Sequence, residues 1–212
     1  RFDPADPTSG QECVCSSLRE DMKDYVDGFG YNNDLDDPTT LNVYTGGAYD
    51  ELYAWDSCAI NFYDGTINEK LGAWDDSVAK IYDGWFDRLG VDNTARMDIY
   101  GGSVGDLQAA GGESYVSGGS LIEITGGESS WINVSGGSVG TVFGFNETEV
   151  QVTGGIINNM KSYDQSTITI HGTNFNYDYG PIDSSFGTLE GILMSGETIS
   201  DDFYIYSPTA SI

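Results

Sequence analysis

The chain has 212 residues, of which 39% are hydrophobic, 13% are aromatic and 29 are glycines. This composition excludes a disordered chain, and no run approaches the roughly 18 apolar residues that span a bilayer. The net charge of −26 argues against nucleic-acid binding and insertion into an anionic membrane, because phosphates would be repelled. The same charge favours solubility and cation binding.

Residues 1–38 lack the repeat that follows them and are predicted to form an N-terminal arm with a short helical cap. The segment Ser16–Val26 places Leu18 and Met22 at helical spacing, with a serine at its start to cap the first turn. An open sheet end pairs readily with other chains. We therefore expect this helix to cover the first coil of the fold, or to dock on a neighbouring subunit.

An acidic cluster in the same arm is a candidate Ca²⁺ site, the one cofactor that the sequence offers. Ca²⁺ takes about six to eight oxygen ligands, and carboxylates supply them. The ligand order of an EF-hand is missing, so a solvated acidic loop is the alternative. The cluster consists of Asp24, Asp27, Asp34, Asp36 and Asp37.

Residues 39–172 contain a repeat of 17–19 residues in which a short alternating run leads into a glycine turn. One apolar column of the repeat is Val43, Phe62, Ile81, Ile99, Val116, Val134, Val152 and Ile170. A second lies two residues earlier, at Leu41, Ile60, Ala79, Met97, Ser114, Ile132, Val150 and Ile168. Spacing of two places both columns on one strand face.

Two more apolar columns follow each glycine turn, so that each repeat has three short apolar segments separated by turns. They are Tyr49, Ile67, Phe86, Val104, Leu121, Val139 and Ile157, and then Leu52, Leu71, Leu89, Leu107, Ile124, Val142 and Met160. The pattern predicts an all-β, single-domain, three-sided parallel β-solenoid of about eight coils, which we expect to be right-handed.

Turn-forming residues mark the corners of this solenoid. Glycine suits the first corner because it adopts positive φ at little cost. Asp, Asn, Ser and Thr suit the second, because their side chains bond the local backbone. The second corner is predicted at Asp56-Ser57, Asp76-Ser77, Asn93-Thr94, Glu113-Ser114, Asn146-Glu147-Thr148 and Gln165-Ser166.

Residues 173–212 are predicted to close the chain as C-terminal coils and a cap. Asn174–Asp183 has the composition of an irregular loop. Two strand-like runs follow, joined by a turn at residues 195–198, and Pro208 limits ladder pairing near the end. The second run is either part of the cap or a strand available to a partner.

The cysteines, the first residue and the glycosylation sequons all indicate whether the protein is secreted. A C-x-C pair rarely bridges itself, so we expect Cys13 or Cys15 to bond Cys58. The cysteine that is left over is then either a free thiol or the partner of an intermolecular bond. The chain begins at Arg1, which we interpret as the processed end of a secreted protein. Asn133 and Asn146 lie in Asn-x-Ser/Thr sequons and are candidate glycosylation sites, although such sequons also arise by chance.

Aromatic residues recur beside the inward columns of the first coils. Exposed apolar strips usually mark contact sites, so this strip is predicted either to stack on sugars or to pack against another subunit. Its members are Tyr53, Trp55, Tyr63, Trp74, Tyr82 and Trp85.

The string SGGSVG at 135–140 has a second copy, SGGSLI, at 117–122 that differs only at 121 and 122. These strings resemble repeats in secreted bacterial surface proteins of the PEP-CTERM-associated kind. The tail 187–206 is similar to a pattern that closes such proteins, and the resemblance covers roughly residues 39–206. It implies an extracellular β-solenoid and assigns no catalytic residue. The chain departs from the family in its Cys-bearing acidic N-terminus and in lacking a sorting helix at its C-terminus.

Catalytic motifs are missing from the sequence, and we expect no enzyme. His171 is the one histidine, and it lies on a repeat turn where other coils carry Ser, Thr, Asp or Tyr. No zinc motif or phosphate loop occurs. The favoured hypothesis is a secreted structural subunit that assembles head to tail with itself. The alternatives are a Ca²⁺-dependent adhesin or glycan-binding module and, less favoured, a polysaccharide-active enzyme that uses paired carboxylates.

Overall fold

A computed structural model describes residues 13–15, 24–26, 40–44, 48–177, 185–206 and 212. Every regular element among these residues is a β-strand, and the strands form one 16-stranded sheet. The strands are β1 (Cys13–Cys15), β2 (Asp24–Val26), β3 (Thr40–Val43), β4 (Ala48–Ala54), β5 (Ala59–Phe62), β6 (Thr66–Ala73), β7 (Val78–Ile81), β8 (Trp85–Ile99), β9 (Ser103–Val116), β10 (Ser120–Gly127), β11 (Trp131–Gly144), β12 (Glu149–Ser162), β13 (Thr167–Ile170), β14 (Gly172–Tyr177), β15 (Ser185–Leu193) and β16 (Thr198–Ile205).

Successive coils pair in parallel, which confirms the predicted solenoid. The register is the one that the apolar columns predicted. Adjacent members of the first column are ladder partners throughout, in the order Val43, Phe62, Ile81, Ile99, Val116, Val134, Val152 and Ile170. Equivalent residues therefore stack about 4.8 Å apart along the solenoid axis.

Each coil has three sides. Side one consists of β3, β5, β7 and β13 and of the segments that pair with them, such as residues 131–134 of β11. Sides two and three follow in the same strand, as at residues 138–139 and 141–144. Between these two sides one residue leaves the ladder, because Leu121 pairs with Val139 and Glu123 with Thr141, with one unpaired position between them in each strand.

Apolar side chains from all three sides fill the interior. Ile132 and Val134 on side one are 0% exposed, as are Val139 and Val142 on the other sides. Burial of each such side chain contributes about 1.5–3 kcal/mol relative to leaving it in water. The single continuous core along the axis is therefore the main source of stability.

Glycine forms the corner between sides one and two, which we name the glycine corner. Gly137 has a φ of 82°, a conformation that costs other residues about 1 kcal/mol or more. Gly136 precedes it, and a Cβ atom there would lie 2.4 Å from the carbonyl oxygen of Ser117 in the coil before. The corner thus needs glycine at both positions, for backbone conformation at one and for close packing at the other.

A second column of positive φ forms the corner between sides three and one, which we name the αL corner. Its members are Asp56, Asp75, Asn93, Gly111, Glu128, Asn146 and Asp164. The sequence predicted this corner correctly at Asp56, Asn93 and Asn146. The starts predicted at Asp76, Glu113 and Gln165 are one or two residues late. Neighbouring residues at these corners are similarly suited to a turn, and the backbone conformation places the positive φ at the earlier one.

The N-terminal segment adds a coil of its own in place of part of the predicted helix. Cys15 of β1 pairs with Val43, and Val26 of β2 pairs with Ala54. In each pair the two partners are 28 residues apart in the sequence. Residues 13–15 and 24–26 therefore lie on side one and side three of an additional coil, which is longer than the coils that follow. The prediction of a helix is wrong for residues 24–26, where ladder pairing with β4 takes precedence over helical propensity. Residues 16–23 lie outside the described part of the chain.

The C-terminal strands cap the far end. β16 pairs in parallel with β12, β15 pairs antiparallel with β16, and β14 pairs antiparallel with β15. Leu189, Leu193, Ile199 and Phe203 from these strands join the core. These strands lie in the segment predicted as a cap, and the turn between β15 and β16 covers residues 194–197. β14 occupies the start of the segment predicted as an irregular loop.

Candidate functional site

The predicted aromatic strip divides into separate groups in the structure. Tyr63 and Tyr82 belong to a stack of four tyrosines, which we name the tyrosine ladder: Tyr44, Tyr63, Tyr82 and Tyr100. Each follows a side-one strand directly, so the ladder runs along the edge of the glycine corner. Neighbouring ring centroids are 4.8, 4.8 and 5.1 Å apart, with interplanar angles of 1°, 6° and 18°.

The other members of the strip lie elsewhere. Trp55 and Trp74 stack with centroids 4.6 Å apart, and Tyr53 packs on Trp74 at 4.7 Å. The Lys70 ammonium lies 5.2 Å from the centroid of the Trp74 ring. Trp85 stands apart on side two, with 46% of its surface exposed. The predicted strip is thus divided among the tyrosine ladder, the Trp55–Trp74 pair with Tyr53, and the separate ring of Trp85.

Ring stacking limits what the ladder can bind. Carbon atoms in contact are about 3.5–4.0 Å apart, so a sugar ring between two aromatic rings would need about 7–8 Å. The ladder rings are at most 5.1 Å apart, and their faces are already covered by one another. Their edges and hydroxyl groups are what remain for solvent, with Tyr63, Tyr82 and Tyr100 exposed by 37–48%.

A second aromatic group, which we name the C-terminal aromatic cluster, surrounds Lys161 on side three. The Lys161 ammonium lies 4.8 Å from the Phe143 centroid and 5.7 Å from the Tyr204 centroid. The cluster consists of Phe143, Phe145, Tyr163, Phe186, Tyr204 and Tyr206. Sequence reasoning missed it, although Phe145 and Tyr163 continue the repeat position of Trp55 and Trp74 after an interruption of three coils.

An acidic groove follows the αL corner near the C-terminal end. It is lined by Glu128, Ser129, Asn146, Glu147, Asp164 and Gln165. The side chains bond along the groove, since Asp164 accepts the Asn146 backbone N–H at 3.2 Å and Glu147 accepts the Ser129 hydroxyl at 3.5 Å. Within the described residues no three His, Cys, Asp or Glu side chains are grouped as a metal site.

The predicted Ca²⁺ cluster has one member in the described structure. Asp24 lies in β2, paired with Leu52. The other members, Asp27, Asp34, Asp36 and Asp37, lie outside the described residues. The Ca²⁺ site therefore stays a prediction.

The predicted bridge from Cys13 or Cys15 to Cys58 stays a prediction. Cys13 and Cys15 lie in β1, which pairs with β3, and β3 pairs with β5. Cys58 directly precedes β5 and is 2% exposed.

The two sequons differ in accessibility. Asn133 is half-buried in the middle of β11, between Tyr115 and Gln151 of the neighbouring coils. Asn146 is exposed at the αL corner, with a φ of 53°. Of the two candidates, Asn146 has the geometry of a glycan acceptor.

Three titratable side chains, those of His171, Glu197 and Asp201, have surroundings that the fold determines. His171 Nε2 contacts Gln151 Oε1. Glu197 accepts the backbone N–H of Gly155 and the hydroxyl of Ser195, and these bonds lower its pKa and fix the cap to the last glycine corner. Burial, and then repulsion from Asp202, raises the pKa of Asp201 in the cap to about 6.

Comparisons with known proteins place the chain in no family. A scan of family models, a search of curated proteins and a search of solved structures each gave no match. Among the described residues no helix has the length and hydropathy to cross a membrane.

Proposed function

We propose that the protein is a secreted structural subunit that assembles with itself through its sheet ends. The observation that carries the proposal is the order of strands in the sheet. The ladder path begins at β1 and ends at β14, and within the described residues each of these strands pairs on one side only. An edge strand of this kind is a template for strand addition by another chain.

The C-terminal cap changes how such a joint would form. β15 and β14 extend side three beyond β16, by two strand spacings or about 9.6 Å, whereas side one ends at β13. Because side three is longer than side one at this end, the ends of two subunits would not contact each other on all three sides at once. We propose that β14 of one subunit receives the N-terminal coil of the next. Head-to-tail contacts propagate into filaments when the rotation between subunits does not close a ring, and stacking along the solenoid axis is the arrangement that we propose.

The aromatic groups favour this proposal over glycan binding. The faces of the ladder rings are covered by one another, so they stabilise the stack of coils more readily than they stack on sugars. The extracellular location rests on the resemblance of the repeats to those of secreted surface proteins and on the accessible sequon at Asn146.

Sedimentation velocity on a charge-matched pair of variants tests the joint. Thr173 and Asn176 are exposed in β14, and Thr173→Glu/Asn176→Glu adds two negative charges at the proposed contact. Ser103→Glu/Ala110→Glu adds the same charge at exposed positions of β9, in the middle of the solenoid. We expect the first variant to sediment as a monomer and the control to assemble like the unmodified chain. Equal assembly by both variants would exclude β14 from the joint.

A further inference from the structure

The tyrosine ladder holds phenol groups in a geometry suited to covalent coupling. Tyr63 and Tyr82 are related by one coil, with centroids 4.8 Å apart and ring planes within 6° of parallel. Tyr44 stacks on Tyr63 from the other side, with planes within 1°. The rings are partly exposed, at 37% for Tyr63 and 39% for Tyr82. A small oxidant or a diffusing radical thus reaches their edges.

Phenol coupling joins two rings at carbons next to the hydroxyl groups. A tyrosyl radical carries unpaired spin at these carbons, and the new bond forms between the faces of the two rings. Between separate molecules this step waits for two radicals to meet in the right orientation. Groups that are already held face to face react as if at very high concentration, by about 10⁵ M or more in well-oriented cases.

We propose that the tyrosine ladder is a modification site at which tyrosines on neighbouring coils couple oxidatively into dityrosine. The oxidant is a peroxidase with hydrogen peroxide. Each of two phenols gives up one electron and one proton, and a carbon–carbon bond forms between the two rings. Both rings then regain aromaticity as the proton on each bonded carbon moves to the ring oxygen and restores the hydroxyl group. Hydrogen peroxide takes up the two electrons and two protons and leaves as two water molecules.

A second tyrosine pair has the same geometry. Tyr163 and Tyr206 stack with centroids 4.4 Å apart and ring planes within 3°. Tyr163 directly follows β12, and Tyr206 directly follows β16, so a bond between them would tie the cap to the last full coil. Tyr115 offers an internal comparison, because its ring packs against Trp131 and the Arg96 guanidinium instead of another phenol.

The coupling lies within one chain and so does not depend on the proposed assembly. It joins residues on successive coils and leaves the subunit mass unchanged except for two hydrogens per bond. A covalent link between coils also lowers the entropy of the unfolded chain, as a disulfide does. We expect the midpoint of thermal unfolding to rise after coupling.

The test is treatment of the dilute full chain with a peroxidase and hydrogen peroxide, followed by tryptic mapping. Trypsin cleaves after Lys70, Lys80, Arg88 and Arg96, which separates Tyr63, Tyr82 and Tyr100 into different peptides. We expect cross-linked peptides that join Tyr63 to Tyr82 and Tyr82 to Tyr100, with dityrosine fluorescence in the monomer band of a denaturing gel.

Two double variants make the result specific. Tyr63→Phe/Tyr82→Phe keeps the stacked rings but removes both central phenols, and we expect the ladder cross-links to disappear. Tyr53→Phe/Tyr115→Phe removes the same number of phenols elsewhere and should keep them. Circular dichroism and melting curves of both variants verify the fold. Cross-links that appear only in covalent dimers, or that involve Tyr115 as often as the ladder, would overturn the proposal.

Discussion

At the scale of single residues, each interior side chain is one member of a column, and its neighbours above and below decide whether it fits. Ser114 belongs to the side-one column between Met97 and Ile132. It is 0% exposed, and its hydroxyl has no hydrogen-bond partner. A buried hydroxyl without a partner costs about 1–3 kcal/mol, so this position is a weak point in an otherwise apolar column.

We expect Ser114→Ala to raise the free energy of unfolding by about 1 kcal/mol, because it removes an unsatisfied polar group. Ser162→Ala is the matched control. Ser162 is equally buried, but its hydroxyl bonds the backbone and side chain of Ser166 at 2.9 and 2.7 Å. Loss of the Ser162 hydroxyl should lower the free energy of unfolding by a similar amount. Urea denaturation measures both, and a loss of stability in Ser114→Ala would contradict the argument.

At the scale of elements, the sequence predicted what depends on local spacing. The ladder partners were predictable because apolar residues recur at a fixed distance and only a parallel stack buries all of them. The glycine corner was predictable for the same reason. The αL corner was predictable only in part, because Asp75 and Asp76 are equally polar and the choice between them depends on backbone conformation.

The elements that the sequence missed are those that tertiary pairing determines. Residues 24–26 have helical spacing but pair with β4, and the spacing gives no sign of this because their coil is longer than the others. β14 pairs antiparallel with β15 and so follows no repeat. The C-terminal aromatic cluster combines side chains from two full coils with others from the cap, and no local pattern connects them.

The glycine corner gives a direct test of coil packing. A Cβ atom at Gly136 would lie 2.4 Å from the Ser117 carbonyl oxygen, whereas at Gly127 the nearest atom of another coil is the Ala109 carbonyl oxygen at 3.8 Å. We expect Gly136→Ala to lower the free energy of unfolding by about 2 kcal/mol or more, since backbone must shift.

Gly127→Ala is the control, and we expect it to be neutral or to stabilise by about 0.4–1 kcal/mol through the unfolded chain. Thermal or urea denaturation of the two variants measures the difference. Equal effects of the two substitutions would mean that the coils are not packed as closely at the glycine corner as described.

At the scale of the whole molecule, a closed interior coexists with open backbone edges. The cap residues Leu189 and Phe203 cover the C-terminal end of the core, so assembly by exposure of apolar interior is not expected. Within the described ranges β1 and β14 each pair on one side only, and we propose their outer edges for strand pairing between subunits. The charge of −26 on each subunit opposes close approach, and added salt screens this repulsion.

Electron microscopy of the native protein at physiological salt tests self-assembly most directly. Side one contains nine strands in the described structure, namely β1, β3, β5, β7, β13 and the paired parts of β8, β9, β11 and β12. At about 4.8 Å per strand they give a subunit length of about 43 Å. We predict filaments with an axial repeat near this length, extended by the cap. Dispersed single particles at every concentration and salt level would contradict the structural proposal.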